Sequence, residues 1–123
     1  MSDEFNSSQP IYHQIMQRIC GQILRSEFRL GDKLPSVRDL ALDMGVNPNT
    51  IKRVYNELER IGIVETKRGQ GTFVTESSSR IDRLRREQMA EHISRFVQDM
   101  MDMGFDPSTI VQGVKESLHR WEK

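Results

Sequence analysis

Apolar residues recur at three- and four-residue spacings over most of the chain, so helices dominate the expectation. Ile11, Ile15, Ile19 and Ile23 stand four apart, with Tyr12, Met16 and Leu24 beside them. This stripe predicts a helix from Pro10, a residue suited to the first helical position, to about Ser26. The stretch Leu30-Gly31-Asp32-Lys33-Leu34-Pro35 predicts a turn. Ser36-Val37-Arg38-Asp39 resembles a capping box with Asp in place of Glu, and Val37, Leu40, Ala41 and Met44 form the inward face of the helix it opens. Gly45 supplies a left-handed stop. Asn47 then caps a third helix with Pro48 at its first position. Its apolar face is Ile51, Val54, Tyr55, Leu58 and Ile61, and Gly62 ends it. Two short helices around a tight glycine-containing turn are the sequence form of a helix-turn-helix.

The remainder completes a second pattern. Ile63-Val64-Glu65-Thr66-Lys67 and Thr72-Phe73-Val74-Thr75, joined by Arg68-Gly69-Gln70-Gly71, predict a β-hairpin. Three helices followed by a hairpin is the order of a winged helix. A polar linker over residues 76–79 precedes a long helix from about Arg80 to Met103. In it Met89, Ile93, Phe96, Met100 and Met103 follow spacings of 4, 3, 4 and 3, a heptad seam. Gly104 caps that helix. Asp106 and Pro107 start a last one bearing Ile110, Val111, Val114, Leu118 and Trp121. The expected fold class is mainly α with a small β-hairpin. Residues 1–9 form a flexible N-terminus and 10–75 a winged helix-turn-helix domain. Residues 80–123 form a two-helix C-terminal dimerisation element. Two apolar stripes on a helix pair are poorly covered in isolation, so Met89, Ile93, Phe96, Met100, Met103, Val114, Leu118 and Trp121 are the expected homodimer surface. The alternative is that the last helix folds back and covers the seam within one chain.

Composition narrows the function. A chain of 123 residues with 36% apolar content supports one modest core. That excludes a catalytic domain alongside a separate ligand-binding domain. No run of about 18 apolar residues exists, so no membrane partner is expected. The acidic, polar start lacks a signal peptide's features, and a cytoplasmic location follows. Cys20 is the single cysteine and is expected as a small buried side chain, with a redox or dimer-linking role as the alternative. Basic and acidic residues balance at 18 each. Net charge therefore says nothing for nucleic acid, and a DNA-binding reading must rest on local geometry.

That geometry is available. A recognition helix presents its N-terminal side chains to base edges in the major groove. Here the segment is Asn47 to Arg53. Asn49 and Thr50 are short and polar at its tip, suited to a base edge or a phosphate. Lys52 and Arg53 lie about 100° apart around the helix, so only one of them faces the groove. The wing Lys67-Arg68-Gly69-Gln70-Gly71 sets two cations beside a turn where backbone can approach phosphate closely. Ser36 and Arg38, at a helix start, are placed to meet phosphate through exposed N–H groups. The bland alternatives are a surface ion pair for Arg38, a plain helix start for Asn49 and Thr50, and solvated charges for Lys52 and Arg53. Tyr55 and Phe73 are expected in the core and not as base-stacking groups.

The segment from Pro10 to Val74 closely resembles the DNA-binding domain of the GntR family of bacterial transcription regulators. Pro10-Ile11-Tyr12, Gln14-Ile15, Gly31 through Ala41, Gly45 through Ile51, Tyr55 through Glu59, Gly62-Ile63-Val64 and Gly69 through Val74 carry the resemblance. The short helical tail is similar to the YtrA-type subfamily. The resemblance implies a DNA-binding repressor and a double-stranded operator as partner. It implies contacts from Arg38, from Asn47, Pro48, Asn49, Thr50 and Lys52, and from Arg68 and Gly69. Many relatives carry a basic or polar side chain where this chain has Pro48, so base reading shifts to Asn49, Lys52 and Arg38. YtrA-type relatives commonly regulate transporter genes. A small-molecule effector is left unidentified.

The rival readings are weaker. A winged helix that binds proteins and not specific DNA agrees with the neutral net charge but not with the cluster of Arg38, Lys52, Arg53, Lys67 and Arg68. An enzyme has little support: no GxSxG, Cys–His pairing or paired carboxylates occur, and Ser36 and Ser108 are explained as helix starts. Of His13, His92 and His119, only the last lies in an ExxH, with Glu116, and a di-iron bundle needs two such motifs. No metal or cofactor is expected.

Overall fold

A computed structural model describes residues 9–122. The predicted polar N-terminus lies, but for Gln9, outside the described residues. The chain divides into two compact units that part between Arg83 and Leu84.

The first unit holds three helices and a hairpin. Helix α1 spans Ile11–Leu24 and buries Ile15, Ile19 and Ile23, while Ile11 at the open end of the stripe stays exposed. Pro10 stands one place earlier than expected, as the cap; it has no N–H to leave unpaired and its carbonyl accepts from His13 N. The helix also ends before Ser26, whose φ of 64° is left-handed. Helix α2, Val37–Met44, starts on Ser36, whose Oγ accepts from Asp39 N at 3.0 Å. Gly45 ends it at φ 68°, with Val46 N donating back to Ala41 O. This left-handed turn costs glycine little and sets the angle to the next helix. Helix α3 spans Pro48–Arg60. Asn47 Oδ1 accepts from Asn49 N at 2.8 Å, and Pro48 occupies the first turn, where no N–H is needed.

Ile51, Val54, Tyr55 and Leu58 of α3 form the centre of the core with the α1 isoleucines, Leu34, Leu40 and Ala41. Tyr55 reaches out of this core: its hydroxyl donates to Pro35 O at 2.6 Å, tying α3 to the start of α2. Burial pushes the phenol up to about 12. Cys20 is half-buried, not fully interior as expected, and burial raises its thiol to about 11, which keeps it protonated.

Strands β1, Val64–Lys67, and β2, Gly71–Val74, pair antiparallel with Val64 opposite Val74 and Lys67 opposite Gly71. The turn at Leu30–Pro35 does more than reverse the chain. Gly31 N donates to Val74 O, Val74 N to Asp32 O and Leu34 N to Thr72 O, so this segment lies along β2 and Lys33 bridges to Phe73. The turn chemistry itself is present, with Arg29 N donating to Asp32 Oδ2 at 2.7 Å. Phe73, expected in the core, is only half-buried, with the Lys67 ammonium over its ring.

Helix α4 spans Ser78–Asp102, beginning two residues before the predicted start. Ser77, read as linker, acts as its cap: its Oγ accepts from Arg80 N at 3.3 Å. In the second unit α4 ends at a turn in which Phe105 N donates to Met100 O and Gly104 adopts φ 89°. Helix α5, Pro107–Trp121, is capped by Asp106, which accepts from Thr109 N at 2.9 Å. No residue of α5 is buried. Met89, Ile93, Phe96, Met103, Val114, Leu118 and Trp121 are all exposed and Met100 is half-buried. Folding back within one chain therefore does not cover the seam. A cleft of about 460 Å³ lies between Phe96 and Met100 on one side and Ile110, Val114, Leu118 and Trp121 on the other.

Candidate nucleic-acid interface

The caps that start α2 and α3 also decide which polar groups remain for a ligand. Ser36 spends an acceptor lone pair on Asp39 N but keeps its hydroxyl proton. Asn47 spends its side-chain oxygen on Asn49 N and keeps its amide donors. Pro48 offers neither a side-chain donor nor an N–H. The exposed tip of α3 is thus presented chiefly by Asn49, whose intact amide matches the paired donor and acceptor of an adenine edge. Thr50 is half-buried behind it.

Three cations lie on α2, α3 and the wing. Arg38 in the first turn of α2, Lys52 on α3 and Arg68 at the wing are all exposed. None of the three has an ion-pair partner among the described residues. The carboxylate pairing that would account for Arg38 structurally is not formed there. Elsewhere on α3 an ion pair does form: Arg60 Nη2 stands 2.9 Å from Glu57 Oε1. This bond holds the Glu57 carboxyl below its usual range. Arg53 takes another course. Its guanidinium lies 3.6 Å from the ring centroid of Tyr12 on α1, so it leans away from Lys52 and leaves Lys52 as the cation free to face a groove.

The wing loop is short. Gln70 N donates to Lys67 O at 2.8 Å, and Gly69 takes φ 77°, a left-handed turn position with open space around it. Arg68, Gly69 and Gln70 are exposed. Lys67 is anchored by its neighbour: its ammonium sits 4.8 Å above the Phe73 ring.

Two residues at this surface were not among the sequence candidates. Lys33 runs along Gly71, where an added Cβ would stand 2.8 Å from Lys33 Cε, so a further cation joins the base of the wing. Its place depends on the pairing of Leu30–Leu34 with β2, which no local signal announces. Tyr12 belongs to the α1 stripe in sequence and meets α3 only in the folded chain.

On α5, the polar side chains of Gln112, Lys115, Glu116, His119 and Arg120 line a shallow pocket. His119 Nδ1 stands 4.0 Å from Glu122, and Glu116 accepts from Gln112 Nε2 at 3.1 Å, so the ExxH pair is engaged outward and not with each other. Among the described residues no helix is long and apolar enough to cross a membrane.

Comparison with known proteins gives the family. The profile of the family "Bacterial regulatory proteins, gntR family" matches residues 11–74. The HTH-type transcriptional regulator YhcF of Bacillus subtilis is 46% identical over 94% of this chain and 95% of its own length. The HTH-type transcriptional repressor YtrA of the same organism is 38% identical, covering 95% of this chain and 85% of its own. A solved GntR-family transcriptional regulator from Listeria monocytogenes superposes with a TM-score of 0.88 at 39% identity, over 91% of this chain and 98% of that one. A winged helix with a short helical tail, matched along nearly its whole length by regulators of the same size, belongs to the gntR family of bacterial regulatory proteins and to its YtrA type.

Proposed function

We propose that this DNA-binding transcription regulator acts as a homodimeric repressor on a two-fold-symmetric operator. The observation that carries the reading is that Arg38, Lys52 and Arg68 are exposed without ion-pair partners among the described residues, on the same helix-turn-helix and wing that expose the amide of Asn49. Helix α3 enters the major groove tip first. Asn49 and Lys52 read base edges, with Thr50 and Asn47 supporting them. Ser36 and Arg38 engage phosphate at the start of α2. Lys67, Arg68, Gly69 and Gln70 follow the adjacent minor groove.

The tail supplies the second half of the mechanism. A continuous exposed apolar surface on α4 and α5 is unusual for a monomer and suits a second copy. Methionines there adapt to irregular packing. A two-fold dimer places two α3 tips on successive major-groove faces, with half-sites about 10 bp apart. Occupancy of such a site blocks polymerase. The relative named as a repressor supports that sign of regulation. Control of transporter genes and a cytoplasmic location belong to the same proposal.

Selection of bound sequences from a random duplex pool at two salt concentrations tests it. An enriched palindrome retained at higher salt is the expected result. Weak, unselective retention that vanishes with salt would overturn it, since a basic cluster that binds only backbone behaves in that way.

A further inference from the structure

Arg53 stands apart from the other cations of α3. It is exposed, lies more than a turn beyond Pro48, and is drawn toward α1 by the Tyr12 ring. Glu57, one turn on, is its natural ion-pair partner. That carboxylate is instead taken by Arg60, through Nη2 at 2.9 Å and Nε at 3.1 Å. Arg53 therefore bonds no carboxylate, though its charge still acts on Glu57, and it is not loose in solvent. Stacking covers one face of the guanidinium and leaves its in-plane N–H donors open.

We infer that Tyr12 is a positioning residue, which holds Arg53 for a backbone phosphate at the flank of the major groove, so that this arginine supplies affinity without reading a base. The inference rests on the proposed DNA-binding reading and deepens it. Three features carry it. Recognition helices read bases with their first turns, whereas flanking elements meet the sugar-phosphate chain. The planar fork of arginine matches phosphate oxygens, and a stacked guanidinium offers that fork edge-on. A side chain already held on a ring loses less rotamer freedom when it binds.

The test uses the full chain with Arg53→Gln, Tyr12→Leu and Tyr12→Phe. Affinity is measured across a salt series for a selected duplex and for a scrambled duplex of equal composition. Arg53→Gln is expected to weaken both duplexes by the same factor. The slope of log affinity against log salt becomes shallower by about 0.9 per arginine lost, and so by about twice that for a dimer. Tyr12→Leu moves the slope in the same direction, and Tyr12→Phe, which keeps the ring, restores it. Loss confined to the selected duplex would make Arg53 a base reader and overturn the inference. So would an unchanged slope in Arg53→Gln, which leaves the stack a feature of the fold alone. A wild-type slope in Tyr12→Leu removes the positioning role. Failure of the unaltered protein to prefer any duplex is a separate result, against the DNA-binding reading itself.

Discussion

Replacing Tyr55 with phenylalanine deletes one oxygen from the molecule and one tie between α3 and the start of α2. The Tyr55 hydroxyl donates to Pro35 O at 2.6 Å, one residue before the cap of α2, while its ring stays 5% exposed in the core. Phenylalanine fills the same space, so no cavity opens. The loss is that of one neutral hydrogen bond, about 1 kcal/mol net. A larger loss would require a stranded buried acceptor, but Pro35 is exposed and water can reach its carbonyl. Urea unfolding at fixed protein concentration, needed because a dimer's stability depends on it, reads the change directly. With a urea dependence of about 1–2 kcal/mol per molar, the midpoint falls by about 0.5–1 M at unchanged slope. The phenol is pushed up to about 12, so it stays protonated and the difference holds steady from weakly acidic to weakly alkaline pH. DNA binding adds the second readout. Arg38 and Lys52 both remain, so affinity drops while its salt dependence stays as in the unaltered protein. An unmoved midpoint, or a changed salt dependence, would refute the view that this bond sets α3 against α2 without itself touching DNA.

Three further outcomes are expected. Arg38→Glu combined with Lys52→Glu abolishes duplex binding in a mobility-shift assay while sedimentation still reports the dimer; surviving affinity would place the contact surface elsewhere. Leu118→Glu, at a position 56% exposed on α5, converts the proposed dimer to monomers in sedimentation and weakens operator binding with it; a persistent dimer would mean that α5 is not the interface. Asp106 accepts from Thr109 N, which holds its carboxyl below the usual range. A depressed folded value gives stability that is present at neutral pH and lost as pH falls through it. Asp106→Ala therefore lowers the melting temperature at pH 7, and the difference shrinks as pH falls below the ordinary aspartate range and through the depressed folded value; a gap that widens in acid would contradict the capping role.

Much of the site was legible along the chain because helix ends are local. Ser36 with Asp39, Asn47 with Pro48, and Gly45 after Met44 act through bonds spanning two to five residues, and their chemistry is written in consecutive letters. The same holds for the wing turn at Gly69. Cap and turn together place Asn49 and Arg68 at exposed tips before any packing is known. The predicted linker shows the limit of this logic. Ser77 looked like one of several polar residues, yet its hydroxyl and carbonyl both accept from the first turn of α4 and make it a helix start.

The sequence by itself determined the elements, their caps and the apolar faces they bury, since periodicity and capping depend on neighbours within a turn or two. Only the tertiary structure decided what distant segments do to one another. Leu30–Leu34 becomes a partner of β2 because the chain returns some forty residues later to offer unpaired carbonyls and amides. Arg53 is drawn onto the Tyr12 ring, and Tyr55 finds Pro35, through contacts that side-chain spacing cannot announce. The tail divides along the same line. Its seam was visible as spacings of four and three, but that α5 buries none of its own residues is a property of the folded chain, and the proposed dimer rests on this open apolar face.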